Sequence, residues 1–193
     1  VSHGEKTAKG FRANQQGWWL RDKTEVLARK TKVDWIISEN WNQQEISQRG
    51  KMNDFMLRKK ILLIGAGCVG ASVAEILVRS GVYNLTVIDS DIFEVGNLSR
   101  HVLNINNIGE GKGLSLCNYL NSLNPHANIE AINNALTIDG KLKTNIDLDK
   151  YGVIIDCTGE NSVLDIIQSC DFKKRHIFAS VSVGLGAKRL YIT

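Results

Sequence analysis

The sequence lacks the patterns that mark several classes of protein. Its four cysteines include no C-x-x-C pair, so neither a zinc site nor, at 193 residues, a disulfide scaffold is expected. It has no signal-peptide pattern and no long uninterrupted apolar run. Its 24 Lys and Arg and its 20 Asp and Glu show no concentrated basic stripe. We therefore expect a cytoplasmic protein whose partners are neither a membrane nor a nucleic acid.

The first 56 residues differ in character from the rest of the chain. They contain all four tryptophans and many polar residues. Their apolar residues recur at nearly helical intervals: Val26, Leu27, Val33, Ile36, Ile37 and Trp41. This spacing predicts at least one amphipathic helix. We interpret residues 1–56 as a short, Trp-rich, mostly helical N-terminal segment.

Residues 57–193 show strand patterns that alternate with helix patterns. Strands are predicted at 61–64, 85–89, 128–132, 153–156 and 177–181, and helices at 69–80, 112–122 and 163–170. This alternation indicates βαβ crossovers. We therefore expect an α/β fold of the Rossmann-like, doubly wound type with a mainly parallel sheet. Because the sequence ends on a further strand pattern, we expect the domain to be truncated at its C-terminal end.

A glycine-rich motif joins the first predicted strand to the first predicted helix of this region. Gly65, Gly67 and Gly70 stand in the spacing G-x-G-x-x-G. In that pattern the glycines allow a tight turn, a close approach of phosphates to the backbone, and close packing of helix on strand. Asp89 follows nineteen residues after Gly70, at the end of the next strand, where a carboxylate accepts hydrogen bonds from ribose hydroxyls. The motif indicates an adenine nucleotide and fits both NAD and ATP.

Polar residues beyond Asp89 favour ATP over NAD. Asp91 follows directly, and then come Asn97, Arg100 and Lys112. Attack on the α-phosphate of ATP builds negative charge on that phosphorus and on the departing pyrophosphate, which fixed cations stabilise. Arg100 offers a planar bidentate donor and Lys112 a compact charge. Taken singly, a surface salt bridge or a solvated helix start would explain either residue.

Several short motifs occur in one order along this region. They are Val87-Ile88-Asp89-Ser90-Asp91, Asn97-Leu98-Ser99-Arg100, Ile108-Gly109 before Lys112, Asn124-Pro125, and Ile155-Asp156-Cys157-Thr158. In this order they resemble the ThiF/MoeB family of ubiquitin-activating-enzyme-like adenylyltransferases. The resemblance covers Leu57 to Thr193. It implies ATP-dependent adenylation of the C-terminal carboxylate of a ubiquitin-like or sulfur-carrier protein, with Mg²⁺ as cofactor and release of pyrophosphate.

The resemblance also implies roles for individual residues. The three glycines would hold phosphate, Asp89 and Asp91 would serve the ribose side, and Asn97 would orient the triphosphate. Arg100 and Lys112 would be the catalytic cations. Members of the family are commonly dimeric, so we expect a homodimer or a heterodimer.

The sequence departs from the family pattern at the expected magnesium ligand. The family's Asp-Asn pair after the fourth strand corresponds to Glu160-Asn161 here. Glu160 offers a carboxylate that can bind magnesium, although its extra methylene changes the reach. Asp156 is the alternative ligand, and its place at a buried strand end suits a structural role equally well.

Two other functions are compatible with parts of the pattern. An NAD-dependent oxidoreductase would explain the glycines and Asp89 but would leave Arg100 and Lys112 without a role. An inactive scaffold partner of an adenylating subunit is suggested by Glu160. We expect no thioester nucleophile among the cysteines, because nothing near them indicates thiolate activation.

Overall fold

The computed structural model describes residues 29–30, 32, 35–134, 137–138, 141–142, 146–184, 186 and 188–193. The chain divides into two compact units, 1–40 and 41–193. This boundary lies before residue 57, where the sequence pattern predicted that the α/β region begins. Val26, Leu27 and Val33, on which the N-terminal helix prediction partly depends, lie outside the described residues.

The helical structure described within the N-terminal segment begins later than its apolar spacing predicts. Helix α1 spans Gln43–Ser47 and helix α2 spans Asp54–Leu57, whereas residues 35–42 form no helix, which corrects the prediction for that stretch. The N-cap residue Asn42 explains why α1 begins this late. Asn42 has extended backbone angles, and its side chain accepts a hydrogen bond from the Gln44 N–H, so the helix begins at Gln43.

Strands and helices alternate through the rest of the second unit. Their bounds are β1 Ile61–Ile64, α3 Cys68–Arg79, β2 Asn84–Ile88, α4 Lys112–Leu123, β3 Asn128–Ile132, β4 Thr137–Ile138, β5 Lys141–Leu142, β6 Val153–Asp156, α5 Asn161–Ser169, β7 Ile177–Gly184 and β8 Arg189–Ile192. Every strand and helix predicted in this region is present with bounds that shift by at most a few residues.

The main sheet has six strands in the order β3-β2-β1-β6-β7-β8. Neighbouring strands from β3 to β7 run parallel, and β8 pairs antiparallel with β7. Strands β4 and β5 form a separate antiparallel pair. This order confirms the Rossmann-like, doubly wound α/β fold.

Helices cover both faces of the central strands. Side chains of a strand alternate between faces, so Ile61 and Leu63 of β1 point to the side of α3 and α4, while Leu62 and Ile64 pack with residues of α5. All four are at most 2% exposed, as a strand that is buried on both sides requires. The helices described here include none that is both long and apolar enough to cross a membrane.

The order in which successive strands are added to the sheet reverses at β1. The chain builds β2 and β3 on one side of β1 and returns to place β6 on the other side. Such a point in a doubly wound sheet leaves a crevice beyond the carboxyl ends of the two strands, where ligands bind. The segments that begin at Gly65 after β1 and at Cys157 after β6 therefore border this crevice.

Candidate functional site

The glycine loop connects β1 to α3 at this crevice. Gly65 adopts φ +89°, a conformation that favours glycine, and its N–H donates to the Ile88 carbonyl at 2.8 Å. Gly67 is the N-cap of α3 and carries no side chain that could satisfy the first N–H groups of the twelve-residue helix. Those N–H groups and the positive end of the helix dipole make this position suitable for a phosphate.

Asp89 holds the loop and the segment after β2 together. Its Oδ2 accepts a hydrogen bond from the Ala66 N–H at 2.6 Å, and its Oδ1 accepts one from the Asp91 N–H at 2.7 Å. A carboxylate oxygen has lone pairs left after one such bond. Asp89 can therefore accept hydrogen bonds from ribose hydroxyls while it fixes the backbone of the glycine loop.

Two cavities meet at Gly67, which lines both of them. The first is acidic, since Asp89, Asp91 and Glu160 contribute to its wall. The second contains Asn97, Arg100, His101 and Lys112 in its wall. Cys157 and Thr158 also border both cavities. The structure thus brings the predicted site residues together around one loop, with carboxylates on one side of it and cations on the other.

The two predicted cations are positioned differently. The Lys112 ammonium lies 2.9 Å from Asp91 Oδ2, and the Lys112 side chain is only 12% exposed. The backbone N–H of Lys112 donates to the backbone carbonyl of Asp91 at 2.8 Å. The Arg100 side chain is exposed and donates to the Gly96 carbonyl at 3.1 Å. Asn97 ends a short 3₁₀ helix, where its Oδ1 accepts from the Glu94 N–H at 2.9 Å. Lys112 is therefore held in place, while Arg100 has room to turn toward a ligand.

The two candidate magnesium ligands differ in their surroundings. Asp156 is 0% exposed, and its oxygens accept hydrogen bonds from the Thr158 N–H at 3.0 Å, the Thr158 hydroxyl at 2.7 Å and the Ser180 hydroxyl at 3.0 Å. This arrangement suits the structural role of a residue that joins β6, its following turn and β7. Glu160 is exposed at the N-cap of α5 and lines the first cavity. The geometry therefore favours Glu160.

A single carboxylate is compatible with magnesium. Among the described residues no three His, Cys, Asp or Glu side chains form a cluster that could hold a metal ion. Magnesium commonly takes one or two protein carboxylates and completes its shell with substrate phosphates and water. Glu160, which lines the same cavity as Gly65 and Gly67 of the glycine loop, fits that donor set.

Burial makes two of the cysteines poor nucleophiles. It raises the pKa of Cys117 and that of Cys157 to about 12, with smaller contributions from Glu130 and Asp156 respectively. Burial also raises the pKa of Cys170. The reactive species of a cysteine is its thiolate, which these groups do not form near neutral pH.

His101 and Thr158 border the site, although the sequence pattern predicted no role for either residue. His101 Nε2 lies 2.8 Å from the Ala66 carbonyl oxygen in the middle of the glycine loop, and Thr158 borders both cavities. Burial, with smaller contributions from Lys112 and Arg100, lowers the pKa of His101, against the opposing effects of the Ala66 bond and Asp89. The one sequence signal that could have indicated His101 is its position directly after Arg100.

The chain is similar in sequence to known proteins over most of its length. Residues 38–191 match the model of the ThiF family, and residues 1–41 match that of the Cap2 central linker domain. The ATP-dependent ubiquitin transferase-like protein Cap2 of Enterobacter hormaechei subsp. hoffmannii is 33% identical over 94% of this chain and 30% of its own length. The adenylyltransferase and sulfurtransferase UBA4 of Debaryomyces hansenii is 32% identical over 72% of this chain and 32% of its own. The chain thus spans about a third of the length of these relatives.

Solved structures share the fold. The E. coli tRNA N6-threonylcarbamoyladenosine dehydratase TcdA in complex with AMP matches 67% of this chain and 52% of its own, with a TM-score of 0.54 and 23% identity. E. coli MccB with MccA matches 67% of this chain and 38% of its own, with a TM-score of 0.59 and 18% identity.

The fold and the loop at its switch point together define a nucleotide-binding α/β domain of the Rossmann type. Within that class, the match over residues 38–191 shows that the chain belongs to the ThiF family. The relative UBA4 is named an adenylyltransferase, which agrees at family level with the chemistry that the sequence predicts.

Proposed function

We propose that the chain forms the ATP-binding part of an adenylyltransferase that activates the C-terminal carboxylate of a ubiquitin-like or sulfur-carrier protein. The observation that carries this proposal is the division of the site at Gly67. The acidic cavity beside Asp89 and Glu160 suits a ribose and a metal ion, and the adjoining cavity that contains Arg100 and Lys112 suits a triphosphate. Family membership and the names of the relatives support adenylation over hydride transfer.

In the proposed reaction a carboxylate oxygen of the carrier attacks the α-phosphorus of ATP. The bond from that phosphorus to the bridging oxygen breaks, and pyrophosphate leaves with the electron pair, so an acyl-adenylate remains. No general base is needed because a carboxylate is already ionised near neutral pH. The protein contributes positioning through the glycine loop and Asp89, and charge stabilisation through Arg100 and Lys112.

The proposal includes a metal and a partner subunit. Glu160 would hold Mg²⁺, which when bound neutralises charge on the phosphate oxygens. The active assembly would be a homodimer or a heterodimer.

A ligand comparison tests the nucleotide. ATP–Mg should raise the melting temperature of the full-length protein, and NAD at equal concentration should not, since binding to the native state stabilises it. Equal stabilisation by NAD would favour an NAD-dependent oxidoreductase. Failure of both nucleotides to stabilise the protein would favour a scaffold that pairs with an adenylating subunit.

Alanine variants test the two cations. In the full-length protein, Arg100→Ala and Lys112→Ala should each reduce carrier-dependent exchange of labelled pyrophosphate into ATP by about 10²–10³-fold, the size of effect when one charge-stabilising donor is lost. Lys112→Arg should not restore full activity, because a planar fork cannot replace a point charge held by Asp91.

A matched control distinguishes this effect from a general loss of positive charge. Lys174 is an exposed lysine between α5 and β7, outside both cavities. Lys174→Ala should leave exchange unchanged. Full exchange activity in both Arg100→Ala and Lys112→Ala would show that the proposed phosphate site is wrong.

A further inference from the structure

The middle residue of the glycine loop, Ala66, is held through both of the peptide groups that flank its Cα atom. Ala66 is 0% exposed, and its N–H donates to Asp89 Oδ2 at 2.6 Å. Its carbonyl oxygen lies 2.8 Å from His101 Nε2. The residue that Gly65 and Gly67 flank is therefore fixed by Asp89 and, independently, by a histidine 35 positions away in the sequence.

The hydrogen bonds of His101 define its protonation state. Its Nδ1 accepts from the Leu103 N–H at 3.1 Å, so this nitrogen carries a lone pair. A carbonyl oxygen can only accept, so Nε2 must carry the hydrogen that it donates to Ala66. The two contacts together require the neutral Nε2–H tautomer.

Further contacts make the segment around His101 a firm support. The ring lies edge-on to Phe93 at 5.0 Å between centroids, and Phe93 is 0% exposed. The Phe93 N–H donates to the Glu110 carbonyl at 2.8 Å, and its own carbonyl accepts from the Gly109 N–H at 2.9 Å. The segment from Phe93 to Glu110, which carries His101, is thus closed by backbone hydrogen bonds between its two ends.

We propose that His101 is a positioning residue that holds the glycine loop in register with the Arg100 segment. The Nε2–H bond to Ala66 sets the orientation of the peptide before Gly67, whose N–H the phosphate would meet. Because Arg100 directly precedes His101, the same bond fixes the distance between the loop and the arginine backbone. This inference rests on the nucleotide binding proposed above and assigns a role to a residue to which the proposed reaction gives none.

Two substitutions separate the two hydrogen bonds of the ring. In His101→Gln the amide nitrogen can replace Nε2 as the donor to Ala66. In His101→Asn the shorter amide can replace Nδ1 as the acceptor from Leu103 but does not reach Ala66. Both variants lose the ring contact with Phe93, so each controls for the packing change in the other.

The first measurement needs no ligand. In the nucleotide-free full-length protein, hydrogen–deuterium exchange of residues 65–70 should accelerate at least about tenfold in His101→Asn and change little in His101→Gln. The second measurement is calorimetric binding of ATP–Mg, whose Kd should rise about tenfold in His101→Asn and less than about threefold in His101→Gln.

The outcomes are distinguishable. Equal exchange of residues 65–70 in both variants, or equal losses of ATP affinity, would overturn the positioning role and leave only a packing contribution. If the wild-type protein binds no ATP, the proposed function fails, while loop exchange in the two variants still decides whether His101 holds the loop.

Discussion

Gly70 offers a quantitative test of how the loop is built. A Cβ atom at Gly70 would overlap the carbonyl oxygen of Gly65 and lie 3.2 Å from Cys157 Cβ. The Gly65 backbone cannot move away freely, because its N–H is bonded to Ile88 on the neighbouring strand. Gly70→Ala therefore forces α3 away from β1 and β6.

The expected magnitude follows from two opposing effects. Overpacking of this kind costs up to about 3 kcal/mol, and the clash with backbone places Gly70→Ala at the upper end. Replacing a helical glycine by alanine returns about 1 kcal/mol of helix propensity. The net loss is about 2 kcal/mol, which for a domain of this size lowers the melting temperature by about 4–8 °C. Thermal unfolding followed by circular dichroism measures this shift.

Gly67→Ala is the matched control within the same loop. No described atom lies within 4 Å of a Cβ built there, and the backbone angles of −68° and −174° suit alanine. The free energy of unfolding should change by less than about 0.5 kcal/mol. The methyl group would enter the space that both cavities share, so the Kd for ATP–Mg should rise at least about tenfold, or 1.4 kcal/mol. Unchanged melting of Gly70→Ala, or equal destabilisation by both variants, would refute this account.

Two further predictions concern stability. Thr86 Oγ1 is buried without a hydrogen-bond partner among the described residues, so Thr86→Val should raise the free energy of unfolding by about 1 kcal/mol in urea denaturation; a decrease would contradict this. Burial, Lys112 and Arg100 lower the pKa of His101 against the opposing effect of Asp89, so the native state resists protonation. As pH falls through 6.5 the unfolded chain takes up that proton first, and stability should fall. His101→Gln should remove this part of the decrease, and equal slopes from pH 7 to 5 would count against it.

The regular elements of the second unit were predictable because their signals are local. The run Ile61–Ile64 is buried on both faces, as its β-branched and leucine composition indicates, and the helix after Gly67 follows the periodicity of its apolar residues. The mainly parallel direction of the strands also follows from the alternation of strands and helices. The antiparallel direction of β8 does not, because direction depends on how a strand pairs with β7 rather than on its own pattern.

The contacts that organise the site were not predictable from spacing. Lys112 and Asp91 form an ion pair across 21 residues, and the sequence supplied each as a separate candidate. Our preference for Glu160 over Asp156 as the proposed magnesium ligand depends on the hydrogen-bond partners of Asp156, which residue spacing does not give. Side chains distant in sequence meet through the packing of whole elements, which a linear pattern does not record. Within residues 35–42 the helix prediction was wrong for a local reason, since Asn42 caps a helix that starts after the apolar run.

The position of β1 between β2 and β6 also sets an order of events during synthesis. Ile61 pairs with Leu85 on one side and with Val153 on the other. As the chain emerges, β1, β2 and β3 can associate while one edge of β1 is still open, and contacts between distant residues form more slowly than local ones. The crevice acquires its second wall only when Cys157 and Thr158 arrive. The proposed nucleotide site is therefore complete only after both halves of the sheet have been synthesised, so a bound nucleotide would report that the two halves have joined.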